Sequence, residues 1–155
     1  MRLYCDMNIY NRAFDEQDQL RIRLETAAIE AIFALAETGV VTLAWSFMLD
    51  YENSLNPYSD RKEWAELLST LCKDKIVPSS KVLTTARAFM KSAKVKPRDA
   101  IHLASAEVGD CDYFVTCDDD LIRLVQRTRI RPKLRLQAIN PVEFIRKEGK
   151  KYGQS

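Results

Sequence analysis

The stretch Tyr113-Phe114-Val115-Thr116-Cys117-Asp118-Asp119-Asp120-Leu121 decides the fold. Its three consecutive apolar residues predict a short buried strand, and the acids after it open a helix over about residues 119–127. One helix cap uses one acid. Three like charges in a row cost stability unless cations or helix N–H groups offset them. The same arrangement recurs at the N-terminus, where residues 2–5 (Arg-Leu-Tyr-Cys) read as a strand that stops at Asp6.

Between these two strands the elements alternate. Leu20, Leu24, Ala27, Ala28, Ala31 and Leu35 recur at helical spacing over about residues 18–38, and Gly39 supplies the stop. Residues 40–44 read as a buried strand, and Ser46 is a cap for the helix carrying Glu52. Ser59-Asp60 caps a helix to about Cys72, and residues 76–78 are extended. Ser79 or Ser80 opens a helix to about Ala93, and Pro97 sits in the first turn of another that ends at Gly109. Residues 134–139 form a last strand, ended by Asn140-Pro141 before a short terminal helix. Strands alternating with helices predict an α/β domain with a mostly parallel central sheet flanked by helices. In such sheets, sites form outside the carboxyl ends of the strands. Asp6 and Asp118 both fall on that edge.

Size and composition bound the remaining choices. The 155 residues fit one domain, placed at 1–145 with a basic tail over 146–155. Hydrophobic residues at 46% and charged residues at 30% are ordinary for a soluble globular protein. No apolar run approaches the roughly 20 residues that span a bilayer, and the N-terminus has no signal-peptide pattern, so no membrane role and a cytoplasmic location are expected. Cys5, Cys72, Cys111 and Cys117 contain no C-x-x-C pair, and the single histidine, His102, does not complete a zinc set, so reduced buried thiols are expected. The net charge of +2 hides an asymmetry: residues 1–120 carry a balance of −6 and residues 121–155 one of +8. The basic segment, which includes Arg123 and Arg127, suits a phosphate backbone as well as it suits a solvated tail.

Four acids are candidates for one site. Asp6 and Asp118 end strands. Glu52 lies six residues after Ser46, with Asp50 as its rival. Asp99 opens the nearly wholly apolar run Ala100-Ile101-His102-Leu103-Ala104, so it faces the molecule or a cleft rather than open solvent. Asp120 is a further direct or water-mediated ligand. Clustered carboxylates repel one another and are stabilised by a divalent cation; a carboxylate cage around Mg²⁺ or Mn²⁺ is suited to cutting phosphodiester bonds with water. His102, three residues after Asp99, reads as a satisfied core histidine rather than a general base. Trp45, Trp64 and the phenylalanines read as core. Tyr10, Asn11 and Arg12 are either substrate contacts or loop residues.

Taken together, Asp6-Met7-Asn8, the segment from Ser46 to Glu52, Asp99-Ala100-Ile101-His102-Leu103-Ala104-Ser105-Ala106 and Phe114-Val115-Thr116-Cys117-Asp118 resemble the PIN-domain family of metal-dependent ribonucleases, from about residue 2 to residue 139. The resemblance implies a PIN-like three-layer fold and makes Asp6, Glu52, Asp99 and Asp118 the acidic site. It matches Asn8, Ser46 and Thr116 to supporting polar positions that bear on substrate. It implies endonucleolytic cleavage of RNA with Mg²⁺ or Mn²⁺, and the role of toxin in a toxin–antitoxin pair, with a homodimer and a small antitoxin as partners. One residue departs from the pattern: a hydroxyl usually follows the first aspartate, and here it is Met7. Two other readings compete. One is an inactive RNA-binding or protein-interaction module on the same fold. The other is an aspartyl phosphohydrolase, which usually needs a second acid where Asn8 stands.

Overall fold

Residues Arg2–Cys5, with three of four side chains buried, form β1 at the centre of a five-stranded sheet. The structure is a computed structural model that describes residues 1–127 and 129–152. The other strands are β2 (Thr42–Ser46), β3 (Asp74–Ile76), β4 (Tyr113–Val115) and β5 (Gln137–Ile139), in the order β3-β2-β1-β4-β5. Every strand pairing is parallel, with Leu3 opposite Leu43 and Tyr113, and Phe114 opposite Ala138. Parallel strands covered on both faces have no polar face to show, which is why the central runs at residues 3–5, 43–45 and 113–115 are apolar, whereas the edge strands carry Asp74, Lys75 and Gln137.

The helices flank this sheet. They are α1 (Met7–Asn11), α2 (Leu20–Glu37), α3 (Phe47–Ser54), α4 (Ser59–Ser69), α5 (Ser80–Ser92), α6 (Pro97–Val108), α7 (Asp119–Arg127) and α8 (Pro141–Glu148). A 3-10 turn at Arg12–Phe14 follows α1. The core forms on the sheet faces: Tyr4 stacks on Phe114 with centroids 5.3 Å apart, and Tyr10 meets Trp45 edge-on at 5.0 Å. Among the described residues, no helix is long and apolar enough to cross a membrane.

Several boundaries differ from the sequence expectation, each for a hydrogen-bonding reason. The second strand starts at Thr42 rather than residue 40, because the N–H groups of Val40 and Val41 both turn back to the Leu35 carbonyl. That reversal uses Gly39 at φ +78, a left-handed conformation that glycine adopts without penalty. The last strand is only Gln137–Ile139, because the N–H groups of Arg135 and Leu136 donate to the Glu107 carboxylate instead of a ladder. The expected tail begins inside α8, where Phe144 is fully buried against Tyr113 and Glu148 accepts the Tyr113 hydroxyl at 2.6 Å. Residues 153–155 of that tail lie outside the described residues.

The stripe expected for α2 is also corrected. Leu20 and Leu24 are 62% and 52% exposed, and the inward face is Glu25, Ala28, Ile29, Ile32 and Ala36. Trp64, expected in the core, stands at the surface.

The carboxyl ends of β1 and β4 meet where the strand order reverses. From β1 the chain passes to β2 on one side, while β4 lies on the other. This crevice is where open parallel sheets hold ligands.

Candidate active site

Asp6 leaves β1 with its N–H bonded to the Val115 carbonyl at 2.9 Å, so it remains in register with β4. It then caps α1, its Oδ1 accepting from Met7 N at 2.8 Å. Its Oδ2 accepts the Thr116 hydroxyl at 2.9 Å and the Asn8 side-chain amide at 3.3 Å. Asp6 therefore keeps three hydrogen bonds although position 7 offers no hydroxyl. Burial pushes the Asp6 carboxyl above its ordinary range; His102 and the Thr116 bond pull it back, and Glu52 raises it further.

Thr116 and Asn8 clip two distant segments together. The Asn8 amide donates to Thr116 Oγ1 at 3.0 Å, and Asn8 Oδ1 accepts from Cys117 N at 3.0 Å. Thr116 Oγ1 also accepts from Asp118 N at 3.1 Å. A single hydroxyl thus holds both the Asp6 carboxylate and the backbone that aims Asp118. Ser46 and Thr116 are 1% and 0% exposed. Neither lines the cleft, so both act on it through the side chains they hold rather than by touching substrate.

The three successive acids divide their tasks. Asp118 Oδ1 caps α7 by accepting from Leu121 N at 3.1 Å. Asp119 pairs with Arg21 at 2.6 Å, which holds its carboxyl below the usual range. Asp120 pairs with Arg123 and is 90% exposed along its side chain. It does not line the cleft that holds Asp6 and Glu52, but it shares an adjoining pocket with Asp99 and Asp118.

Glu52 is positioned by a buried chain of polar groups. Ser46 caps α3, accepting from Leu49 N at 3.3 Å, and its Oγ lies 2.5 Å from the Tyr4 hydroxyl. The Tyr4 hydroxyl is 2.5 Å from His102 Nδ1, and His102 Nε2 bonds Glu52 Oε1. The imidazole thus bridges the buried Tyr4 hydroxyl and the Glu52 carboxylate, one ring nitrogen to each. Asp50 is excluded from this role because its Oδ1 accepts the Trp45 indole N–H at 2.7 Å and it lies outside the cleft.

Asp6, Glu52, Asp99 and Asp118 line one cleft of about 760 Å³. They arrive from β1, α3, the first turn of α6 and the β4–α7 turn. The Asp99 carboxyl is pushed up by burial first, and then by the charges of Asp6 and Asp118. One oxygen each from Asp6 and Glu52 lies within 4.8 Å of a His102 nitrogen and of each other, with Asp99 and Asp118 farther along the cleft. Both His102 nitrogens already have partners, so the donors left for a cation are carboxylate oxygens. That donor set fits a hard divalent ion such as Mg²⁺ or Mn²⁺.

The cations of the cleft are Arg61, Lys96 and Arg98. The expected pair, Arg123 and Arg127, lies outside it: Arg123 in a neighbouring groove, and Arg127 exposed at the end of α7. Other basic residues of the last third also pair locally, Arg135 with Glu107 and Asp110, and Arg146 with Glu143. Lys96 and Arg98 had a local signal in Lys96-Pro97-Arg98-Asp99, whereas Arg61 had none. Of the loop trio, Asn11 lines the cleft, Tyr10 is buried, and Arg12 pairs with Asp15 and buried Glu25.

Comparison with known proteins agrees with this architecture. The PIN domain family model matches residues 3–126. Among solved structures, the chain is similar to VapBC2 from Rickettsia felis bound to a DNA fragment from its promoter, with a TM-score of 0.56 at 14% identity, covering 90% of this chain and 98% of that one. No curated protein sequence matches.

Proposed function

This chain belongs to the PIN-domain family, and on that premise we propose that it is a metal-dependent endoribonuclease that hydrolyses RNA phosphodiester bonds. The observation that carries the reading is the convergence of Asp6, Glu52, Asp99 and Asp118, from four separate elements, on one cleft. Asp6 and Glu52 hold the cation, with Asp118 and Asp99 completing the acidic wall. A bound Mg²⁺ or Mn²⁺ supplies Lewis acidity toward water and offsets charge on the phosphoryl oxygens. The Ser46–Tyr4–His102 chain fixes the rotamer of Glu52, and the Thr116–Asn8 clip fixes Asp6 against Asp118. Arg61, Lys96 and Arg98 draw the phosphate toward an otherwise repulsive wall.

The test is cleavage of RNA by Asp6→Asn and Asp118→Asn. Both variants are expected to lose Mg²⁺- or Mn²⁺-dependent cutting while keeping the circular dichroism of the folded protein. Full activity in both rejects the site. Mn²⁺ calorimetry separates the enzyme from an inactive module on the same fold, since only an intact acidic wall takes up the ion.

The same reading assigns the role of toxin, with a small antitoxin as partner, a homodimer as assembly and the cytoplasm as location. The likeness to VapBC2 supports it in fold. Growth arrest on expression, relieved by a co-expressed neighbouring reading frame, is the expected outcome.

A further inference from the structure

Two half-exposed tyrosines stand beside the acidic cleft, each paired with one of its arginines. Tyr51, immediately before Glu52, is 49% exposed, and the Arg98 guanidinium carbon lies 5.5 Å from its ring centroid. Tyr58, at the start of α4, is 58% exposed, and the Arg61 guanidinium carbon lies 5.0 Å from its ring and 5.7 Å from that of Phe14. Arg61 is held further by the Phe14 carbonyl at 3.2 Å, with only a loose 3.7 Å approach to Asp15. A guanidinium stacked on a ring is fixed in place while its N–H edge stays open to an anion. Arg61 and Arg98 line the same cleft as the four carboxylates, and Lys96 joins them.

We propose that the mouth of this cleft is a single-strand subsite, in which Tyr51 and Tyr58 stack bases flanking the bound phosphodiester while Arg61, Lys96 and Arg98 hold its phosphates. The proposal rests on the ribonuclease reading for the identity of the nucleic acid. A wall of four carboxylates repels a polyanion, so a phosphate enters only where cations stand, and these three stand at the carboxylates. Each arginine lies over a ring that is still about half exposed to solvent, and exposed aromatic rings take any unpaired base. A base inside a duplex has both faces covered by its neighbours, so the arrangement selects single strands. Phosphate contacts add affinity without sequence choice, and so do these rings.

The test is fluorescence anisotropy of a labelled single-stranded RNA with the full-length protein in Ca²⁺, beside a matched abasic strand and a matched duplex. Tyr51→Ala and Tyr58→Ala are each expected to weaken single-strand binding about ten-fold. Tyr51→Phe and Tyr58→Phe retain it, and the abasic strand binds the alanine variants and the wild type alike. Arg61→Gln and Arg98→Gln weaken both strands. Should an alanine variant unfold, Tyr51→Leu and Tyr58→Leu, which keep apolar bulk without the flat ring, carry the same expectation. Unchanged affinity, an equal loss for the abasic strand, or a duplex bound as tightly as the single strand overturns the subsite. So does loss of a protein partner in variants that bind RNA normally. RNA cleavage that is indifferent to both rings overturns this inference and leaves the nuclease reading standing. Ring-dependent binding by a protein that cuts no RNA supports the subsite and removes the nuclease.

Discussion

Replacing Thr116 by valine tests how the acidic site is held together. The side chain is fully buried and nearly isosteric with valine, so the change removes a hydroxyl and little else. That hydroxyl donates to Asp6 Oδ2 at 2.9 Å and accepts from Asp118 N at 3.1 Å and the Asn8 amide at 3.0 Å. A hydrogen bond to a charged group contributes about 2 kcal/mol, and the stranded Asp118 N–H adds about 1 kcal/mol, while the Asn8 amide keeps Asp6. The expected loss is therefore about 3 kcal/mol, or about 9 °C in the unfolding midpoint for a domain of this size. Thr116→Ser, which keeps the hydroxyl and loses one methyl, should cost about 1 kcal/mol.

The pH dependence carries the argument further. The Asp6 carboxyl is already raised by burial, so the folded protein holds its proton longer than the unfolded chain does. Stability therefore falls as pH rises through that window. Losing the Thr116 bond, which favours the charged form, raises the Asp6 carboxyl again and steepens the fall. The deficit of Thr116→Val against wild type is expected to be greatest at neutral pH and to narrow as Asp6 protonates in acid. Thermal unfolding followed by circular dichroism, in chelator from acid to neutral pH, measures it. A deficit equal at both ends, or no larger than that of Thr116→Ser, would show that the hydroxyl does not support the Asp6 charge.

Four further outcomes follow from the same geometry. Tyr4→Phe strands His102 Nδ1 and Ser46 Oγ in the core; urea unfolding should show a loss of about 2 kcal/mol, with reduced RNA cleavage because Glu52 loses its orienting chain. Glu25→Ala leaves Arg12 and Asn140 without their buried acceptor, and the same measurement should show a loss of about 3 kcal/mol. In RNA-binding titrations against salt, Arg61→Gln or Arg98→Gln should flatten the log–log slope by about 0.7, whereas Arg135→Gln, at the Glu107 end of the molecule, should leave it unchanged. Because the Asp6 and Asp99 carboxyls are both raised, protons should displace Mn²⁺ at a higher pH than from ordinary carboxylates; calorimetry at decreasing pH checks this.

The sequence by itself determined the local features of this protein. Strands that end shortly before Asp6 and Asp118, the Ser46 cap, Pro97 in a first helical turn and the Gly39 stop each depend on a few neighbouring residues and their own backbone groups, so their reading survived folding. The five-residue helix after Asp6 escaped because it is too short to show a period, and its cap is the same aspartate that was read as a ligand. The tertiary structure alone decided which charges meet. Residues 121–155 hold the surplus cations, yet those at the cleft are Arg61, Lys96 and Arg98, because α4 and the start of α6 reach the carboxyl edge while Arg135 and Arg146 find partners elsewhere. The chain from Ser46 through Tyr4 and His102 to Glu52 was equally hidden, since it joins β2, β1, α6 and α3. Capping and turn chemistry act within a few residues along the chain, whereas Coulomb and hydrogen-bond partners are chosen by distance in space, and only the packed sheet sets those distances.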